Sequence, residues 1–189
     1  AAPVTPVAPS KPADKPDETK PTETTYPDVQ PTDWYYEAVE AVTEKGLMSG
    51  TDNGFEPNLA TSRAMIWTVL ARMDGKTVSG SGSEWYAAAQ SWASENGVSD
   101  GSDPNGRITR EQFAAMLYRY VLRQGRAGAD AAANFAGFAD VESVSDWARD
   151  AMRWAVSSGI INGIDGRLCP QGEATRAQIA TMLQRYLEK

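Results

Sequence analysis

The chain contains no histidine, and Cys169 is its one cysteine. The side chain that most often serves as a general base near neutral pH is therefore missing. A lone cysteine excludes an internal disulfide and cannot build a thiolate metal site by itself; Cys169 reads as a free thiol packed in a small core. No stretch approaches the roughly 18 consecutive apolar residues of a bilayer-crossing helix, so no membrane insertion is expected. Basic residues are scarce as well, with 18 Lys and Arg against 25 Asp and Glu and a net charge of −7. A nucleic-acid partner would need a basic excess on one face, and that class is set aside. Residues 1–25 lack Leu, Ile and every aromatic residue but carry Pro3, Pro6, Pro9, Pro12, Pro16 and Pro21. Such a segment cannot bury enough apolar surface to offset its ordering entropy, and it has no continuous apolar core that would make it a secretion signal. It reads as an extended linker to a domain upstream, the alternative being a plain disordered tail.

What is present is a block that recurs three times. Trp34, Trp85 and Trp147 each stand twelve residues before a glycine, Gly46, Gly97 and Gly159, and a second glycine follows four residues later at Gly50, Gly101 and Gly163. Then come Thr61-Ser62-Arg63, Ile108-Thr109-Arg110 and Ala174-Thr175-Arg176. Repetition fixes the architecture before any single motif is weighed. The copies are bounded at 26–75, 76–127 and 128–189, the second having four residues fewer between its later glycine and its arginine. Three near-equivalent surfaces point to binding rather than to one catalytic centre.

Each copy predicts two helices. Ala38, Ala89 and Ala151, followed at helical spacing by Val42, Ala93 and Ala155, give the first helix a narrow stripe that admits a close neighbour. Asp33, Glu84 and Asp146 directly precede the tryptophans and are expected to cap that helix, with the tryptophan opening it. Gly46, Gly97 and Gly159 are expected to end it at left-handed backbone angles. The second helix carries a wide apolar face: Ile66, Val69, Leu70 and Met73; Phe113, Met116, Leu117 and Tyr120; Ile179, Met182, Leu183 and Tyr186. No helix of this length is stable alone, so the three faces must pack on one another. The expected fold is all-α, one pseudo-threefold unit rather than three independent beads.

Thr109 with Gln112, and Thr175 with Gln178, have capping-box spacing, whereas Ser62 has Met65 where the reciprocating amide would stand. Arg63, Arg110 and Arg176 are then left to explain. A cation in a helix's first turn faces the positive dipole end, which predicts a compensating anion. That anion is either a carboxylate of the protein or an acidic ligand held by guanidinium and helix N-terminus together. The tryptophans divide likewise between packed core and a flat platform for a sugar. Trp92 and Trp154 read as packing, and Trp67, off the apolar stripe of its helix, as partly exposed. Asp103-Pro104-Asn105-Gly106 in the shortened copy reads as a tight turn. It resembles the middle of a calcium loop, but the flanking positions Gly101 and Gln112 supply no carboxylate, so no metal site is expected.

Copy one reads Tyr26-Pro27-Asp28-Val29, Asp33-Trp34, Gly46-Leu47-Met48-Ser49-Gly50, Gly54-Phe55-Glu56-Pro57 and Ser62-Arg63-Ala64-Met65. Copy three reads Phe138-Ala139-Asp140-Val141, Asp146-Trp147, Gly159-Ile160-Ile161-Asn162-Gly163 and Thr175-Arg176-Ala177-Gln178. Copy two keeps Trp85, the Gly97 and Gly101 pair and Thr109-Arg110-Glu111-Gln112 but lacks the opening motif. In this order the motifs resemble the S-layer homology domain of Gram-positive surface proteins. The resemblance implies a three-pronged spindle around a helical bundle. Its grooves between copies would hold secondary cell-wall polysaccharide, often carrying pyruvylated N-acetylmannosamine. It assigns Arg63, Arg110 and Arg176 to the acid, with Trp34, Trp85, Trp147, Asp33, Asp146, Gly50, Gly101 and Gly163 as groove residues. Where the family has glutamate after Thr-Arg-Ala, this chain has Met65, Gln112 and Gln178. The expected function is non-covalent anchoring at the outside of the cell wall, the alternative being a protein-binding module in surface assembly. With no evident nucleophile and base pair, neither catalysis nor a cofactor is expected.

Overall fold

The apolar stripes fold as the helical period requires. The computed structural model describes residues 25–80, 84–126, 135 and 137–189. The expected linker before Thr25 and residues 127–134, where copy three is expected to begin, lie outside the described residues. The helices are α1 (Tyr36–Glu44), α2 (Arg63–Met73), α3 (Ala87–Glu95), α4 (Arg110–Arg123), α5 (Arg149–Ser157) and α6 (Arg176–Leu187). Among the described residues, extended pairing is limited to isolated bridges, so the fold is all-α.

The ends of the first helices follow from glycine. Gly46, Gly97 and Gly159 have φ of +65°, +65° and +64°. Each donates its N–H back into the last turn, and the next residue reaches further: the N–H groups of Leu47, Val98 and Ile160 donate to the carbonyls of Val42, Ala93 and Ala155 at 2.8–2.9 Å. This two-bond pattern satisfies carbonyls that a helix end otherwise strands. At the second helices, Thr109 and Thr175 make complete capping boxes with Gln112 and Gln178, and Ser62 accepts from the Met65 N–H alone.

The first helices begin later than the acidic residues predict. Each starts two residues after its tryptophan, with Tyr35, Tyr86 and Ala148 at the cap position and no side-chain cap. The tryptophan lies in a tight turn before the helix: the Asp33 carbonyl accepts the Tyr36 N–H at 3.0 Å, and Asp146–Ala148 is a single 3-10 turn. Asp33 instead accepts the Gln30 N–H at 2.7 Å, and Asp146 pairs with Arg149 at 2.9 Å.

Packing runs across copies. α3 rests on α2, α5 on α4, and α1 on α6, so each first helix covers the second helix of the copy before it. The α1–α6 contact joins the first copy to the last and closes the cycle. At its centre three backbone bonds form a ring: Thr61 N–H to Ala174 O, Ala174 N–H to Ile108 O, and Ile108 N–H to Thr61 O, each 2.9 Å. These residues stand two places before the three arginines and are buried. No copy could be removed without exposing the apolar faces of both neighbours.

Two further expectations change. Trp67 is fully buried, with the Arg63 guanidinium carbon 5.8 Å from its ring centroid. Its counterparts, Ala114 and Ala180, are buried too, so this position faces the interior despite lying off the four-residue stripe. Cys169 is only partly buried, because it sits in a loop at φ +50° rather than in the core.

Candidate functional site

The three arginines begin their helices, and the neighbouring copy deals with the helix ends. The N–H groups of Arg63 and Ala64 donate to Gly106 and Pro104, those of Arg110 and Glu111 to Gly172 and Pro170, and those of Arg176 and Ala177 to Leu59 and Pro57. All six bonds are 2.9–3.0 Å. The helix N-termini are thus closed by carbonyl oxygens, and an outside anion has no free backbone donors there. This corrects the expectation of a ligand held jointly by guanidinium and helix end.

The guanidinium groups extend the same contact. Nε of Arg63, Arg110 and Arg176 donates to the carbonyls of Ser102, Leu168 and Phe55 at 2.8, 2.8 and 2.6 Å, each in the following copy. Arg110 and Arg176 are 5% and 6% exposed, yet neither has a carboxylate partner among the described residues. Both terminal nitrogens of Arg110 lack a hydrogen bond to any described residue, and Arg176 uses one of its own on the Ser49 carbonyl at 2.7 Å. Arg176 also lies over the Phe55 ring, 4.6 Å from its centroid. Burial pulls the pKa of both below the ordinary arginine value, while nearby acidic groups, Asp140 for Arg110 and Glu56 for Arg176, work against that fall. Buried cations with spare donors suit an acidic ligand.

The loops that receive Nε are clamped by the opening motif. Asp28 accepts the N–H groups of Phe55 and Glu56 at 2.8 and 2.7 Å, and Asp140 those of Leu168 and Cys169 at 2.7 and 2.8 Å. Burial opposes ionisation of Asp140, but these backbone donors prevail and hold its pKa below the usual carboxylate value. The clamp fixes Glu56 and Cys169 at φ +57° and +50° just before proline. Gly50 and Gly163 let this assembly close, since a Cβ at either would collide with the ring of Tyr26 or Phe138.

Three clefts result, and each is assembled from all three copies. One, of about 400 Å³, is lined by Trp34 of the first copy, Arg110 of the second, and Gly163, Gln178 and Arg185 of the third. Another, of about 290 Å³, has Arg63, Asp100, Gln112, Arg119 and Trp147. The third, of about 260 Å³, has Arg176, Gly50, Met65, Arg72 and Trp85. The recurring rule is a loop and second helix from one copy, the motif arginine from the copy before and the tryptophan from the copy after. The motifs therefore work by cleft and not by copy.

The tryptophans are exposed by 67%, 37% and 56% at positions 34, 85 and 147, which removes the packed-core reading. Tyr35 and Tyr86 brace two of them edge-on, at centroid distances of 5.1 and 5.6 Å. Trp147 has no such brace among the described residues, but its turn is tied to α4 by buried Glu111, which accepts from Ser145 N–H and Oγ at 3.0 and 2.8 Å. Trp92 and Trp154 are buried, as expected of packing residues. Asp33, Asp146 and Gly101 are not brought into the cleft linings. Asp103–Gly106 is the tight turn its composition suggests, closed by Gly106 N–H to the Asp103 carbonyl at 3.1 Å.

A second arginine in each cleft escaped the sequence reading. Arg72, Arg119 and Arg185 donate to the carbonyls of Leu47, Val98 and Ile160 at 2.9, 3.3 and 3.3 Å. All three follow the motif arginine by nine residues, a recurrence that was visible in the sequence. Nine residues is about two and a half helical turns. The two arginines of a helix consequently face opposite sides and serve different clefts.

A family model described as the S-layer homology domain matches residues 25–64 and 137–180. The middle copy, which lacks the opening motif, lies wholly between these segments. The chain is 33% identical over 172 residues to an amylopullulanase of Thermoanaerobacterium thermosulfurigenes, covering 82% of this chain and 9% of that protein. It is 29% identical to exoglucanase XynX of Acetivibrio thermocellus, over 82% of this chain and 16% of the relative. With S-layer protein sap of Bacillus anthracis it shares 27% identity, over 84% of this chain and 21% of the relative. The chain thus spans less than a quarter of the length of each of these relatives.

Proposed function

Because the chain belongs to the S-layer homology family, we propose that it is a non-catalytic cell-surface anchor that holds an acidic secondary cell-wall polysaccharide in clefts between its copies. The observation that carries this reading is the pairing, in every cleft, of an exposed indole with two guanidinium groups. An indole offers a flat apolar face to a sugar ring, and a guanidinium offers paired donors to a carboxylate such as a pyruvyl substituent. A hydrogen bond to a charged group contributes about 1.5–3 kcal/mol net, so one cleft alone gives only modest retention. A polymer that reaches two or three clefts raises the effective affinity by roughly 10²–10⁴ without any new contact. Net repulsion between an acidic chain and an acidic polymer is screened beyond about 8 Å in physiological salt, which leaves the short-range contacts in control.

The arginines are poor targets for a test, because their Nε groups also join one copy to the next. The exposed tryptophans are better ones. In a pelleting assay with purified wall sacculi, the native chain is expected to sediment. It should stay in solution once the wall polysaccharide has been chemically removed. The triple variant Trp34→Ala, Trp85→Ala, Trp147→Ala should fail to sediment while keeping its helical circular dichroism. Sedimentation with stripped sacculi would overturn the proposal and favour a protein partner.

A further inference from the structure

The cleft that contains Arg63 differs from the other two, and the difference begins with a missing residue. Copies one and three place Asp28 and Asp140 ahead of the first helix to take the N–H groups of Phe55 and Leu168. Copy two has no opening motif, and the equivalent N–H, on Ser102, is accepted by Asp100 at 3.0 Å. The equivalence is set by the arginines, whose Nε groups donate to the carbonyls of these same residues. Asp100 lies in the four-residue glycine turn, where the other copies have neutral Ser49 and Asn162. Supplying the clamp from there brings its carboxylate into the cleft, where Oδ1 also meets Arg63 Nη2 at 2.8 Å. Ser102 Oγ donates to the other oxygen at 2.8 Å, so the acid is held in place although its side chain is 68% exposed. Among the described residues, no carboxylate lies within 4 Å of Arg110 or Arg176.

We propose that Asp100 acts as a built-in substitute for the acidic ligand, so that only the Arg110 and Arg176 clefts take an acidic sugar and the Arg63 cleft is self-blocked. This rests on the reading of the clefts as saccharide sites. An arriving carboxylate would have to displace a partner already bonded to the guanidinium and would lie beside a like charge. Backbone hydrogen bonding from Ser102, then its hydroxyl, and less strongly Arg63, keep the Asp100 pKa below its usual value, so the block persists at neutral pH.

Each cleft has its own reporter, since Trp34, Trp85 and Trp147 line the Arg110, Arg176 and Arg63 clefts respectively. The probe is the methyl glycoside of pyruvylated N-acetylmannosamine, with the sugar lacking pyruvate as control, titrated into the full chain with nitrogen-15-labelled indoles. In the native chain the Trp34 and Trp85 indole resonances should shift and that of Trp147 should not. In Asp100→Asn, whose amide oxygen can still accept the Ser102 N–H, the Trp147 resonance should shift as well. Calorimetric stoichiometry should then rise from two to three. The reverse transplant, Ser49→Asp, should silence Trp85 while Trp34 still responds, which tests the idea even if Asp100→Asn is unstable. A Trp147 shift in the native chain equal to the others, or no gain in Asp100→Asn together with no loss in Ser49→Asp, overturns the inference alone. No pyruvate-dependent shift at any of the three indoles, in any variant, overturns the saccharide reading and this inference with it.

Discussion

Replacing Asp140 by alanine tests whether the opening motif is a clamp for the loop beneath the Trp34 cleft. The substitution removes the acceptor of two backbone N–H groups, those of Leu168 and Cys169, at 2.7 and 2.8 Å. A hydrogen bond to a charged group contributes about 1.5–3 kcal/mol, and water reaches this partly buried site, so the lower end applies and the loss is roughly 3 kcal/mol. For a chain of this size each kcal/mol lowers Tm by about 2–4 °C, which gives a drop of about 6–12 °C in a circular dichroism melt. Asp28→Ala should cost a similar amount, because its carboxylate makes the same two bonds. The pH dependence follows from the lowered pKa of Asp140. Its stabilisation is complete above the unfolded-state value of 3.8 and is lost as pH falls through the lower folded value. The gap between native chain and variant should therefore close in acid. Binding at the Trp34 cleft should weaken as well, since Arg110 takes its bearing from the Leu168 carbonyl. A Tm change below about 2 °C, or a gap unaltered by acid, would refute the clamp.

The remaining predictions concern tryptophans and caps. Trp67→Ala should cost about 3–5 kcal/mol by emptying a fully buried site. Trp34→Ala should change stability by no more than about 0.5 kcal/mol because its indole is mostly exposed, and a urea titration compares the two. Thr175→Ala should cost about 1 kcal/mol in the same titration by opening the capping box at α6.

Much of the fold was legible because it depends on local, repeated chemistry. Glycine at left-handed angles, Thr with Gln at box spacing and apolar residues at helical period each specify a short element, and all three recur. The pairing of helices across copies was not legible, since no local spacing records which copy a face will meet. The same holds for the clefts: Arg110 and Trp34 share one although they belong to different copies. The aspartates before the tryptophans misled because a cap requires the helix to start at the next residue, and here a turn intervenes. Trp67 misled because an apolar stripe of four residues underestimates the face of a helix packed on several sides. Arg72, Arg119 and Arg185 were overlooked because a long cation near a helix end ordinarily reads as a solvated side chain.

The central claim is that an acidic group on the wall glycan is what the paired arginines of the open clefts hold. Its most direct measurement is the affinity of the native chain for one wall polysaccharide before and after removal of its acidic substituent, by calorimetry at fixed salt. Loss of one charge-assisted contact per cleft, about 1.5–3 kcal/mol, predicts at least a tenfold fall in affinity. Equal affinity for the two polymers would contradict it.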